Sequence, residues 1–266
     1  MNLVEQTTVD QRRHRVLDAA LTRLTRLPDA DQFVLRGGML LRQWFHSFDR
    51  PAADIDLVSL GQFDVQQITE QLLPILSVDG VRDQIKFDRQ RYRIQPIWTN
   101  TDFPGIRMFL RADTGGVAQA IHIDVTFGES LVPVPMLGDF RLDDGVVVQL
   151  KLCRPEAIAA RKLHALADMG MRHWRPKDLN DIRLLLDHME IDDTDLIAGI
   201  DYSFSSRGDP TTKARSMFSN ESWWSTRTAS ARWHDYVSQC QNVPHDLDSV
   251  VGEVRERLHP VMQRLS

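Results

Sequence analysis

The chain has 266 residues, of which 42% are hydrophobic and 26% charged, and its net charge is −5. That is enough apolar material for one large core or two modest ones, and the composition excludes wholesale disorder. The acidic balance excludes a global pull toward nucleic acid or anionic membrane, so any such contact has to come from a local patch.

The first predicted element is a helix from Val9 to Leu27. Val16, Leu17, Ala20, Leu21, Leu24 and Leu27 recur at helical spacing, and Asp10 is placed to cap it. "QFVLR" then reads as a short buried strand ending at Gly37-Gly38, with a helix from about Met39 to His46 directly after it. Asp54 to Leu60 alternates as a strand, and "FDVQQITEQLLPIL" reads as a helix capped by Asp64. The middle is strand-rich: "QIKFDRQRYRIQPIW", "IRMFLRA", "AIHIDVTFG" and "GVVVQLKL" alternate or carry β-branched and aromatic residues.

Beyond Arg154 the pattern turns helical. "PEAIAARKLHALADM" has Pro155 near its first turn, and "PKDLNDIRLLLDHM" follows. The tail from Asp192 is helical with a polar interruption from Ser203 to Thr228. Strands first and helices later predict an α+β chain, with a core over residues 1–150 and a helical part over 151–266.

Cys153 and Cys240 lie far apart without CxxC spacing, which argues against a disulfide framework or structural zinc. "MNLVEQTTVDQRRHR" has no apolar signal region, and no apolar run approaches the roughly 20 residues of a membrane span. A soluble cytoplasmic protein with no membrane partner is the expectation.

Side-chain direction singles out three carboxylates. Residues two apart in a strand share a face, so Asp54 and Asp56 point one way while Ile55 and Leu57 point to the core. In "IHIDVTF" the residues Ile121, Ile123, Val125 and Phe127 are apolar, and Asp124 lies on the polar face between His122 and Thr126. If the two strands are neighbours, three carboxylates converge. They repel one another unless a cation sits among them, and Mg²⁺ is the natural hard cation for oxygen ligands. The alternative is that these aspartates end strands or face water.

Gly37-Gly38 offers free amides at a helix N-terminus, which suits a triphosphate, or else a tight strand-to-helix turn. From Lys151 to Lys177 seven Lys and Arg residues face only Glu156 and Asp168. Within that run Lys162 can pair with phosphate as a point charge or belong to a solvated helix face. Asp178 and Asp181 stand one turn apart, as a base and its supporting group or as acidic residues following Pro176. Trp174, Trp223, Trp224 and Trp233 belong to a core or face a partner, and His14, His46 and His188 have no ligand-like spacing.

Taken together, these residues resemble the AbiEii/MenT family of nucleotidyltransferase toxins. Its first motif, two small residues, a helix and then R-x-[ST]-x-D-h-D, is matched by Gly37, Gly38, Arg50, Asp54 and Asp56. Its next carboxylate falls on Asp124. Its later motif is matched by Lys162-Leu163-His164-Ala165-Leu166 and by Lys177-Asp178-Leu179-Asn180-Asp181-Ile182.

The resemblance implies a DNA polymerase β-like nucleotidyltransferase fold, a mixed sheet with flanking helices, over residues 1–150. A helical C-terminal domain over 151–266 then completes the active-site cleft. It implies Mg²⁺-dependent transfer of a nucleotide from an NTP, with pyrophosphate released, by the toxin of a toxin–antitoxin pair. The implied acceptor is the tRNA 3′ end and the implied partner a cognate antitoxin. Asp54, Asp56 and Asp124 are then the metal residues, and Gly37, Gly38, Arg50 and Lys162 hold the triphosphate. Asp178 is an essential acid, and either it or Asp124 orients the attacking hydroxyl. Met39 and Ala52 stand where the family often carries hydroxyl residues. Two other readings suit the same residues: transfer to a small-molecule or protein acceptor, and a weakly catalytic nucleotide-binding protein that holds a partner.

Overall fold

A computed structural model describes residues 3–45, 52–77, 84–219, 223–240 and 242–265. They form two compact units, one drawn from residues 3–45, 52–77, 84–130 and 136–152 and the other from 131–135, 153–219, 223–240 and 242–265. Among the described residues no helix is long and apolar enough to cross a membrane.

The first unit is built on a mixed sheet of eight strands. They are β1 (Phe33–Arg36), β2 (Ile55–Ser59), β3 (Lys86–Phe87), β4 (Arg93–Ile97), β5 (Gly105–Asp113), β6 (Ala118–Thr126), β7 (Met136–Arg141) and β8 (Val147–Leu152). Their order is β3-β5-β6-β2-β1-β8-β7, with β4 also paired to β5. β1 runs antiparallel to β2 and parallel to β8, while β2 runs parallel to β6. One face of the inner strands is apolar and buried, through Ile55 and Leu57, Ile121, Ile123 and Val125, and Ile106, Met108 and Leu110.

Among the described residues, the α-helices of this unit are α1 (Leu3–Leu24), α2 (Gly37–Trp44) and α3 (Val65–Leu72). α1 packs against β6 and buries Val16, Leu17, Ala20 and Leu21 completely. Asp64 caps α3 as its sequence suggests, its Oδ1 accepting from the backbone N–H groups of Gln66 and Gln67 at 2.8 and 3.0 Å.

The second unit is helical: α4 (Pro155–His173), α5 (Pro176–His188), α6 (Asp193–Ser205), α7 (Thr212–Ser219), α8 (Arg227–Val237) and α9 (Leu247–Arg264). α4 packs on α5 and α6, and α5 packs on α8 and α9. Pro155 and Pro176 open their helices, where a missing N–H is harmless and the fixed φ is helical. Trp174 meets Trp224 edge-on at 5.2 Å, and Trp224 stacks on Phe218 at 5.8 Å. The Trp224 indole N–H is satisfied by the Met217 carbonyl at 3.0 Å.

The structure departs from the sequence expectations at five places. α1 begins at Leu3, so Asp10 lies inside the helix, where it pairs with Arg13 at 3.0 Å. Gly37 and Gly38 form the first turn of α2. The segment from Gln84 to Trp98 divides into β3 and β4 around a turn, in which Asp88 accepts from the N–H groups of Gln90 and Arg91. β7 is an additional strand; its Gly138 and Asp139 hide the pattern, and it lies at the end of the sheet, where β8 is its neighbour. The polar interruption holds α7, whose buried Ala214, Met217 and Phe218 supply one short apolar stripe.

Candidate active site

The register of the sheet lines charged side chains across its polar face. Arg36 is opposite Asp56, Asp56 is opposite Asp124, Asp124 is opposite Arg107, and Arg107 is opposite Gln95. Directly opposed residues point to the same side of a sheet, so this is one continuous row over β1, β2, β6, β5 and β4. Two residues along lies a second row of His122, Phe109 and Arg93. Asp54 joins it, its Oδ2 lying 3.1 Å from His122 Nε2. The three carboxylates therefore do converge, through a parallel pairing between strands far apart in sequence.

Their environments differ. The Asp124 side chain is 5% exposed, and both its oxygens are gripped by Arg107: Nε donates to Oδ1 at 2.7 Å and Nη2 to Oδ2 at 2.6 Å. That hydrogen-bonded pairing raises the guanidinium's pKa further above its already high value. Asp54 and Asp56 are only half-buried. The Asp54 hydrogen bond holds His122 above the ordinary imidazole value, against the opposing effect of burial. Arg36 donates to Glu129 and to Thr126 Oγ1, and Thr126 Oγ1 donates in turn to the Leu57 carbonyl at 3.2 Å.

A glycine corner lies against this row. Gly37 has φ +70°, and a Cβ there would stand 2.0 Å from Asp56 Oδ2. The backbone at the start of α2 thus touches the Asp56 carboxylate, which only glycine permits. Gly37→Ala is expected to destabilise the sheet unit by about 1–3 kcal/mol through the left-handed backbone alone, read by urea unfolding followed in the far-UV. Unchanged stability would refute this account of the corner.

The two positions without hydroxyls serve packing. Met39 and Ala52 are completely buried, and Ala52 lies close beneath Gly38. The Ala52 N–H donates to His14 Nε2 at 3.2 Å, and burial, aided by Arg42, holds the His14 pKa down, favouring the neutral acceptor. His14 on α1 therefore positions the chain just before Asp54. Arg50 lies outside the described residues.

The helical unit carries its own ionic cluster. Lys162 Nζ on α4 sits between two carboxylates of α5, 2.8 Å from Asp178 Oδ1 and 2.7 Å from Asp181 Oδ2. Asp178 Oδ2 accepts from Arg175 Nε at 2.6 Å. The Asp178 and Asp181 side chains are 2% and 0% exposed, and Lys162 is 14% exposed. Two aspartates one turn apart on α5 face the same lysine, so Asp181 is as much a part of this cluster as Asp178.

Asp54 and Asp56 are the residues that would hold a hard cation such as Mg²⁺. They bring hard carboxylate oxygens to one sheet face, and Mg²⁺ commonly takes one or two carboxylates and fills its octahedron with water and phosphate. Among the described residues, no three His, Cys, Asp or Glu side chains are placed to hold a metal ion together. Arg107, His122 and His14 are the contributors that sequence reasoning did not single out. Arg107 was accessible in principle: in "GIRMFLRAD" it alternates with buried Ile106 and Met108, as Asp124 does with Ile123 and Val125.

Comparison with known proteins agrees with this fold. The crystal structure of JHP933 from Helicobacter pylori matches with a TM-score of 0.53 at 14% identity, over 96% of this chain and 93% of that one. A second H. pylori structure gives a TM-score of 0.48 at 13% identity, over 96% and 95% of the two chains. No curated protein matches the sequence. Residues 19–253 match the family described as nucleotidyl transferase AbiEii toxin of type IV toxin–antitoxin systems, a family that implies an antitoxin partner. The chain belongs to the AbiEii family of nucleotidyltransferase toxins.

Proposed function

We propose that this nucleotidyltransferase moves a nucleotide from an NTP onto the 3′ end of tRNA, with Mg²⁺ held by Asp54 and Asp56. The observation that carries the reading is the convergence of Asp54, Asp56 and Asp124 on one sheet face, with the Gly37 backbone against Asp56. Held by these carboxylates, Mg²⁺ would supply positive charge for the phosphates of the NTP.

The chain's own groups account for the rest. The backbone N–H groups of Gly37 and Gly38, at the open end of α2, receive phosphate oxygens. His122 holds Asp54 in orientation through its hydrogen bond. Within the helical unit, the buried Asp178 and Asp181 fix the position of the Lys162 ammonium. Asp124 stands beside Asp56 in the row, with its carboxylate held by Arg107.

An RNA acceptor suits the second row of the sheet face. Phe109 presents a half-exposed ring there with the Arg93 guanidinium 4.3 Å from its centroid, and exposed Arg111 lies two residues further along β5. Aromatic rings and arginines on one face favour stacked bases and phosphates. This local patch supplies what the net charge of −5 does not.

The test incubates purified protein with tRNA and each labelled NTP, with Mg²⁺ or with excess chelator. Label is expected at the tRNA 3′ end, lost with chelator. In the same assay the Phe109→Ala, Arg93→Ala double variant is expected to raise the KM for tRNA about tenfold or more while leaving that for NTP unchanged. Label on protein or small molecules instead would overturn the acceptor, and transfer that survives chelation would overturn the metal.

A further inference from the structure

The basic run between Lys151 and Lys177 divides in the structure. Of its seven Lys and Arg residues, Arg154, Lys162 and Arg175 are paired with carboxylates. Arg172 and Lys177, with His173 between them, are exposed, and their side chains meet no ion-pair or hydrogen-bond partner among the described residues. We propose that this elbow, where α4 passes into α5, is a phosphate-backbone contact for the RNA acceptor. The proposal rests on the tRNA-acceptor reading and adds to it a contact carried by the helical unit.

The elbow is held in shape before any ligand arrives. Gly170, at φ +63°, turns the last residues of α4, and the Trp174 N–H donates back to the Gly170 carbonyl at 3.1 Å. The wholly buried Trp174 ring pins the connection from inside, against Trp224. Pro176 opens α5, and the Asp178 N–H donates to the Arg175 carbonyl at 2.9 Å. Contacts made from such a frame cost side-chain ordering but little backbone ordering.

The charge of the elbow is not cancelled by the acids that follow it. Asp178 and Asp181 are buried and already engaged by Lys162 and Arg175. A further guanidinium arrives from α8, where Arg232 Nη2 donates to the Arg172 carbonyl at 2.6 Å. The elbow also lacks an apolar anchor: none of the exposed large hydrophobic side chains falls between Arg172 and Lys177. Protein interfaces centre on such anchors, whereas a phosphodiester backbone calls for closely spaced cations. These features favour RNA over an acidic protein.

The full chain is titrated with fluorescently labelled tRNA over a range of salt concentrations. In the Arg172→Ala, Lys177→Ala double variant the slope of log Kobs against log salt is expected to shrink by about 1.5, and the Kd at moderate salt to rise about tenfold. NTP binding and urea unfolding are expected to stay as in the wild type. Should the double variant fail to fold, Lys177→Ala alone is expected to give about half that change in slope. The Arg26→Ala, Arg89→Ala double variant removes the same net charge from exposed positions of the sheet unit and is expected to keep the wild-type slope. An equal change in both double variants would reduce the effect to net charge and overturn the elbow. An unchanged slope in the first would overturn the elbow while leaving the acceptor reading intact. Loss of polyglutamate binding with tRNA binding retained would give the elbow to an acidic protein and overturn the proposal. A wild type that binds no tRNA would overturn both.

Discussion

Asp56→Asn abolishes nucleotide transfer and leaves the fold in place. The substitution removes one anionic ligand from a site whose ion contributes several kcal/mol of charge stabilisation in the transition state, so the rate is expected to fall about 10³-fold or more. The fold survives for three reasons. Asp56 is only half-buried, asparagine has nearly the same shape against the Gly37 backbone, and the change relieves repulsion with Asp124 beside it. Single-turnover transfer of labelled nucleotide measures the first effect and far-UV unfolding the second. A variant that folds and transfers at the wild-type rate would remove Asp56 from the chemistry.

Lys162→Met has the largest expected effect on stability. It leaves Asp178 and Asp181 facing each other at 2% and 0% exposure without the ammonium between them. Removing one partner from a buried ionic group costs about 3–5 kcal/mol, and Arg175 compensates only on the outer oxygen of Asp178. Denaturant unfolding of the helical unit reads that loss. Adding Asp181→Asn is expected to recover a large part of the stability by removing the stranded charge. A double variant no more stable than Lys162→Met would refute this account of the cluster.

The facing of the three carboxylates was legible in the sequence because strand alternation is a local signal. Ile55 and Leu57 against Asp54 and Asp56, and Ile123 and Val125 against Asp124, fix which side of the sheet each carboxylate takes. Whether β2 lies beside β6 is a different matter. Their parallel pairing joins segments separated by three other strands, and no turn records it. Arg107 stayed hidden for that reason. An arginine on a polar strand face reads as surface until the register sets it opposite Asp124.

The Asp178–Asp181 spacing showed a shared helix face, but a residue one helix away, Lys162, decided what that face meets. The same limit explains the missed elements. β7 draws its strand character from pairing with β8 rather than from its own pattern, and α7 has only three buried residues to announce it. The hydroxyl positions were legible as departures but not in their meaning. Met39 and Ala52 turn out to be core, with Ala52 tied to His14 through its backbone.

The tryptophans give the protein a lopsided optical signature. Of six, Trp174, Trp223, Trp224 and Trp233 lie in the helical unit, whereas the sheet unit has half-buried Trp44 and exposed Trp98. Trp174, Trp224 and Trp233 are almost wholly shielded from water, so they dominate the blue edge of the emission, and their red shift on denaturation reports the helices coming apart. Trp98, already in water at 47% exposure, changes little. Tryptophan fluorescence therefore reports mainly the helical unit, whereas far-UV dichroism reports the backbone of both units. Midpoints that coincide by the two probes mean that the sheet carrying the aspartates and the helices carrying Lys162 melt as one cooperative body.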